Sequence, residues 1–173
     1  MRINLNNYLF VFGENKNQLD EFMSDAMNEQ EPLSMEKLYP TPEGAGAGWR
    51  EDHWGTPGMK MSELRYHTDL VLCYYLKTAM FAPTEWVQQI SVNYPHLGFF
   101  MRFVREDTSF VGGIVAKGEY SYQMSYNENL IYRQLVNYVL RGFENNREKR
   151  VKDLAAFYGA LLVDQELVIG LEE

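Results

Sequence analysis

The sequence predicts an α+β fold, and three observations carry that assignment. Short apolar segments rich in aromatic and β-branched residues recur at 8–12, 64–78 and 99–104, which is how buried strands read. Between them the period changes to that of amphipathic helices, over 14–28 and 83–94. Beyond residue 126 only helical periodicity remains. Taken in order, with a short strand at 35–39, the elements run βαββαβ, the order of a ferredoxin-like antiparallel sheet. An added hairpin completes a domain over residues 1–126, and 127–173 form a helical extension packed on it.

The first strand is the run Tyr8-Leu9-Phe10-Val11-Phe12, closed by Gly13. In the helix that follows, Leu19, Phe22, Met23 and Ala26 share one face, with Asp20, Glu21 and Asp25 opposite. Asn15 or Asn17 supplies a cap, since an asparagine oxygen accepts the orphan N–H groups of a first turn. Residues 35–39 read as a short strand cut off by Pro40 and Pro42, and the glycine–alanine run 44–48 as a flexible linker. That run lacks the Lys-Ser/Thr of a phosphate-binding loop.

Residues 64–78 read as one long central strand: Leu70, Leu72, Tyr74 and Leu76 lie on one face, Val71, Cys73 and Tyr75 on the other. Pro83 presets a first helical turn and Glu85 suits its positive end, with Trp86, Val87, Ile90 and Tyr94 as the buried stripe. Phe99, Met101 and Phe103 alternate in the next strand. A turn at 105–108 leads into 109–117, where Gly112-Gly113 suggests a bulge or a close backbone approach. Tyr120, Tyr122, Met124 and Tyr126 alternate with polar residues, as in a peripheral strand with one wet face. Helical stripes follow at Ile131, Leu135, Tyr138, Val139 and Phe143, and at Val151, Leu154, Ala155, Tyr158, Leu161 and Leu162.

Composition narrows the function. A chain of 173 residues with 46% hydrophobic and 14% aromatic residues can bury a sizeable core. The net charge of −8 repels polyanions, so a nucleic-acid partner is disfavoured. The single cysteine, Cys73, excludes an intrachain disulfide and reads as a buried core thiol rather than a nucleophile. Nothing near the N-terminus resembles a signal peptide, and no apolar run approaches the roughly 18 residues of a membrane span, so a cytoplasmic location and no membrane partner are expected. No motif for a cofactor or a metal occurs, and none is expected.

The segment 49–58 carries the candidate site residues Trp49, His53, Trp54 and Thr56. Two readings compete. In one, His53 acts as a base oriented by Glu51 or Asp52. In the other, the two indoles pin an irregular loop onto the sheet. The second is favoured, because Glu51, Asp52 and His53 are consecutive and consecutive side chains rarely converge.

Pro40-x-Pro42, then Trp49, then His53-Trp54-Gly55-Thr56 resembles the proline pair and Asn-Trp-Gly-Thr-Lys-Trp-Asp segment of the YubB ferredoxin-like domain family. Thr78-Ala79-Met80-Phe81-Ala82-Pro83 before Trp86 is similar to that family's Thr-Ala-Trp-x-Pro-Pro, and Pro95 and Phe110-x-Gly112-Gly113 fit as well. The resemblance covers residues 35–118. It implies a small protein of plasmids, phages and prophages and brings no activity with it. Pro57-Gly58-Met59 stands for Lys-Trp-Asp, Met80 for a tryptophan and Ala82 for a proline. Losing two tryptophans at those places fits packing better than catalysis.

The expectation is thus a mobile-element accessory protein, a non-enzymatic module binding a protein partner. The alternatives are an enzyme using 49–56 with His53 as base, and a single-stranded nucleic-acid binder stacking bases on Phe99, Phe103 and Tyr122.

Overall fold

The computed structural model describes residues 3–107 and 110–125. Strand β1 (Asn4–Phe12) is followed by helix α1 (Lys16–Ala26), the short helices α2 (Met35–Leu38) and α3 (Ala47–Trp54), and the strands β2 (Met59–His67) and β3 (Val71–Ala79). Helix α4 (Thr84–Asn93) leads to β4 (Gly98–Arg105), β5 (Val111–Lys117) and β6 (Tyr120–Ser125). The strands form one sheet in the order β2-β3-β1-β4-β5-β6. The pairs β2–β3, β1–β3, β1–β4 and β4–β5 are all antiparallel. The molecule is therefore an α+β protein built on an antiparallel sheet. The chain divides into two compact units, Met1–Gln123 and Met124–Glu173. The helices expected beyond residue 126 lie outside the described residues.

Local chemistry explains most of the elements. Asn15 Oδ1 accepts the Gln18 N–H at 3.1 Å and starts α1, which buries Leu19, Phe22 and Ala26. Pro83 opens α4, Glu85 sits in its first turn, and Trp86, Val87 and Ile90 are its buried stripe. Alternation along the strands does the rest. Leu5, Leu9 and Val11 of β1, Leu72, Tyr74 and Leu76 of β3, and Phe99, Met101 and Phe103 of β4 meet the helices in one core. Phe22 sits at its centre, edge-on to Tyr94 at 5.2 Å, Phe99 at 5.7 Å and Tyr74 at 6.4 Å. Burying each such phenylalanine removes enough apolar area from water to contribute about 2 kcal/mol.

Three segments differ from the sequence reading. Residues 35–38 are helical, because Ser34 Oγ caps the turn by accepting from Lys37 N, and Met35 and Leu38 bury one face three residues apart. The segment expected as a loop around Trp49 is helix α3, which starts at Gly46 and stops at Gly55 in the left-handed region. The run 64–78 is two strands. Thr68 Oγ1 accepts from Leu70 N at 3.3 Å and Val71 N at 3.0 Å, folding a tight turn across which the strand-like alternation of Leu64, Tyr66, Leu70 and Leu72 continues. The second strand of the order is thus Met59–His67. The glycines at 112 and 113 pair in regular register with Phe103 and Arg102, without a bulge.

The second face of the sheet changes character along the strands. At one end Phe10, Phe12, Val71, Cys73, Phe100 and Val115 are buried, and the rings of Phe10 and Phe100 stack at 5.8 Å. At the other end the same face carries Asn6, Tyr8, Tyr75, Lys77 and Arg102, all part-exposed. Ser121 and Gln123 of β6 are exposed, as a strand with one wet face requires.

Candidate functional site

Helix α3 brings Trp49, His53 and Trp54 together without making a catalytic centre. His53 stacks on Trp49 at 4.2 Å with the rings 9° apart, and its Nδ1 lies 2.9 Å from the Trp49 carbonyl oxygen. Its side chain is exposed, as are Glu51 and Asp52. Successive helical positions are turned by about 100°, so these three groups fan apart. Trp54 is 2% exposed, donates Nε1–H to the Tyr39 carbonyl at 3.1 Å and lies under the Arg50 guanidinium at 5.0 Å. Arg50 in turn holds Thr41 Oγ1 at 3.1 Å and Glu36 at 3.4 Å. Thr56 is fully buried and donates its hydroxyl to the Ala79 carbonyl at 2.8 Å. The polar atoms of Trp54 and Thr56 are thus taken up by backbone, Trp54 joining α3 to the end of α2 and Thr56 tying the residues after α3 to the end of β3.

Gly55 lets α3 approach the start of α4. Its φ is +81°, and a Cβ there would collide with the Glu85 carboxylate and lie 3.0 Å from the Ala82 carbonyl oxygen. Both conditions require glycine.

Thr56 leads to the feature that sequence reading missed. At the end of β3, Met80 is held at φ 65°, a left-handed conformation rare for a side-chain-bearing residue. The turn is fixed on every side. Met80 N donates to Ile3 O at 2.8 Å, Phe81 N to Ala79 O at 2.7 Å, and Thr78 Oγ1 to Phe81 O at 2.8 Å. Asn7 Nδ2 holds Thr78 Oγ1 at 3.0 Å, and Ala79 N donates to Gly58 O at 3.0 Å. What this network displays is apolar: Met80 is 45% and Phe81 50% exposed. The signal in the sequence was faint, since Met80 stands where a strained turn would ordinarily call for glycine.

An open cleft of about 370 Å³ is lined by Asp25, Lys37, Leu38, Asn93 and Tyr94. Its polar groups already serve the fold. Tyr94 donates to Asp25 Oδ2 at 2.8 Å, and Lys37 Nζ donates to the Ser24 and Met27 carbonyls at the end of α1. Burial first, and the Asp25 bond second, raise the Tyr94 phenol above its usual range.

Elsewhere the chemistry is quiet. Cys73 is 3% exposed and burial pushes its thiol up to about 12, so it is a protonated core group rather than a nucleophile. Among the described residues no group of three or more His, Cys, Asp or Glu is placed to hold a metal ion. No helix among them is long and apolar enough to cross a membrane. Phe99 and Phe103 lie in the core under the helices and cannot stack on a nucleobase. Compared with known proteins, the chain matches no family model, no curated protein and no solved structure.

Proposed function

We propose that this chain is a non-enzymatic accessory module that binds a protein partner through the Met80–Phe81 turn, on a ferredoxin-like core. The strand order β2-β3-β1-β4, with α1 joining β1 to β2 by way of the short helices and α4 joining β3 to β4, supports the ferredoxin-like reading. The resemblance to the YubB family supports a mobile-element origin.

One observation carries the binding reading. Two large apolar side chains are held in solvent by a turn that is strained at Met80 and tied down by a buried hydrogen-bond network. Strain of this kind costs about 1–3 kcal/mol and persists only where surrounding contacts over-determine it. A pre-ordered apolar tip loses little entropy on docking into a pocket. The His53 region supports the enzyme reading less well, because the histidine stands exposed on a helix with both carboxylates turned away.

The test compares wild type with Phe81→Ser, a half-exposed position whose change leaves the core intact. A partner that co-purifies with wild type and is lost from a Phe81→Ser protein of unchanged melting temperature supports the reading. A partner held equally by both, or no partner from host lysate, overturns it.

A further inference from the structure

We propose that the polar end of the second sheet face is a binding platform for single-stranded RNA, a site distinct from the Met80–Phe81 turn. Tyr8 of β1 and Tyr75 of β3 are directly paired across the strands, with ring centroids 5.4 Å apart and tilted by 53°. Both are half-buried and face away from α1 and α4, on the two central strands of the order β2-β3-β1-β4. Tyr75 is fixed by its hydroxyl bond to Asn6 Oδ1 at 2.7 Å.

Cations surround the pair. The Arg65 guanidinium lies over the Tyr75 ring at 4.9 Å, Lys77 follows two residues along β3, and Arg102 is the cross-strand partner of Tyr8. Glu63 pairs with Arg65 at 2.8 Å and Glu106 with Lys77 at 2.6 Å. Among the described residues Arg102 has no carboxylate partner, and its Nε is buried without a hydrogen bond, so only the outer end of the guanidinium is offered to a ligand. Gly113 is its neighbour on β5, so no side chain crowds it from that side. The whole chain is acidic, yet this patch holds three cations against two carboxylates.

Two adjacent rings with interleaved guanidinium groups match what an unpaired strand offers. Its bases have open π-faces for Tyr8 and for the guanidinium planes, and its phosphates meet the Arg102 guanidinium. A duplex hides those faces. The carboxylates favour RNA over DNA, because a ribose 2′-hydroxyl can donate to Glu63 or Glu106, where deoxyribose carries only a C–H.

The probe is a fluorescein-labelled oligouridine of about twelve nucleotides, followed by anisotropy at low salt. Wild type is expected to bind, with a log–log salt slope no steeper than about −2, as three phosphate contacts on a single strand allow. Tyr8→Ala is expected to weaken binding by roughly 5- to 150-fold, the range for losing one stacking ring. Tyr8→Phe, which keeps the ring, is expected to bind like wild type, and Arg102→Gln to bind more weakly. Phe81→Ser is expected to bind RNA unchanged, so the two readings fail separately. No binding by wild type overturns the proposal, as does equal binding of a duplex, tighter binding of oligothymidine, or undiminished binding by Arg102→Gln.

Discussion

Asn7 on β1 donates its side-chain N–H to the Thr78 hydroxyl on β3 at 3.0 Å, with both residues fully buried. Thr78 passes its own proton to the Phe81 carbonyl at 2.8 Å, so a polar chain runs from the core to the exposed turn. Thr78→Val keeps the shape and removes the link. It takes one of three acceptors from the Asn7 amide, whose N–H groups keep the Leu76 carbonyl at 3.0 Å and the Leu5 carbonyl at 3.3 Å, and it frees the Phe81 carbonyl, a cost of about 1–3 kcal/mol. Urea unfolding should show that loss, and hydrogen exchange should show faster opening of the Phe81 amide. A change under about 0.5 kcal/mol would mean that the network does not hold the turn.

Gly55→Ala is expected to destabilise the fold by about 1–2 kcal/mol. The Glu85 side chain can swing away from a new methyl group, but the Ala82 carbonyl is backbone and the φ of +81° stays unfavourable. An unchanged melting temperature would show that the α3–α4 junction is looser than its geometry.

These two sites also show how far the sequence could be read. The strands of the core were legible where the run Tyr8–Phe12 is apolar throughout and where Phe99, Met101 and Phe103 alternate at period two, while the first half of β1, where Leu5 stands among asparagines, was not. Helix α2 was not, since four residues give no periodicity and its cap depends on one serine. The β2–β3 turn was hidden because Leu70 extends the apolar run while Thr68 closes the turn by side-chain bonds. The Trp49, His53, Trp54 and Thr56 cluster was visible as unusual composition, but whether its atoms face a cleft or a backbone carbonyl depends on contacts distant in sequence. The Tyr8–Tyr75 pair arises from strand register, which no local pattern fixes.

Cys73 gives the fold an alkaline limit. Burial raises its thiol from 9.0 to about 12, and burial raises the neighbouring Tyr74 phenol as well. The folded chain therefore keeps a proton that the unfolded chain releases. The stability linked to Cys73 is intact below pH 9.0 and declines as pH climbs toward about 12. For one such group the slope approaches about 1.4 kcal/mol per pH unit. Cys73→Ala should flatten that decline in urea titrations at rising pH, and native Cys73 should resist thiol reagents that label the unfolded chain. Rapid labelling of the folded protein near neutral pH would contradict this.

Tyr74 is fully buried, and its hydroxyl finds no hydrogen-bond partner among the described residues. A buried polar group left unpaired costs about 1–3 kcal/mol. Tyr74→Phe removes that cost and keeps the edge contact with Phe22, so the melting temperature should stay level or rise. A loss of more than about 1 kcal/mol would mean that the hydroxyl is satisfied in solution by water.

Met80→Gly separates strain from display. A side-chain-bearing residue in the left-handed region costs roughly 1–2 kcal/mol more than glycine. Glycine gives back about 0.5–1 kcal/mol through the freedom of its unfolded chain. Met80 is 45% exposed, so its removal forfeits only part of an apolar contact. The balance predicts a protein as stable as wild type or up to about 1 kcal/mol more stable, read from the urea midpoint at constant slope. On the proposed function the same variant should bind its protein partner more weakly, because half of the apolar tip is gone. Stability bought at the expense of binding is what a strained recognition turn produces. A variant that is both less stable and equally good at binding would make Met80 a packing residue and leave Phe81 as the whole of the tip.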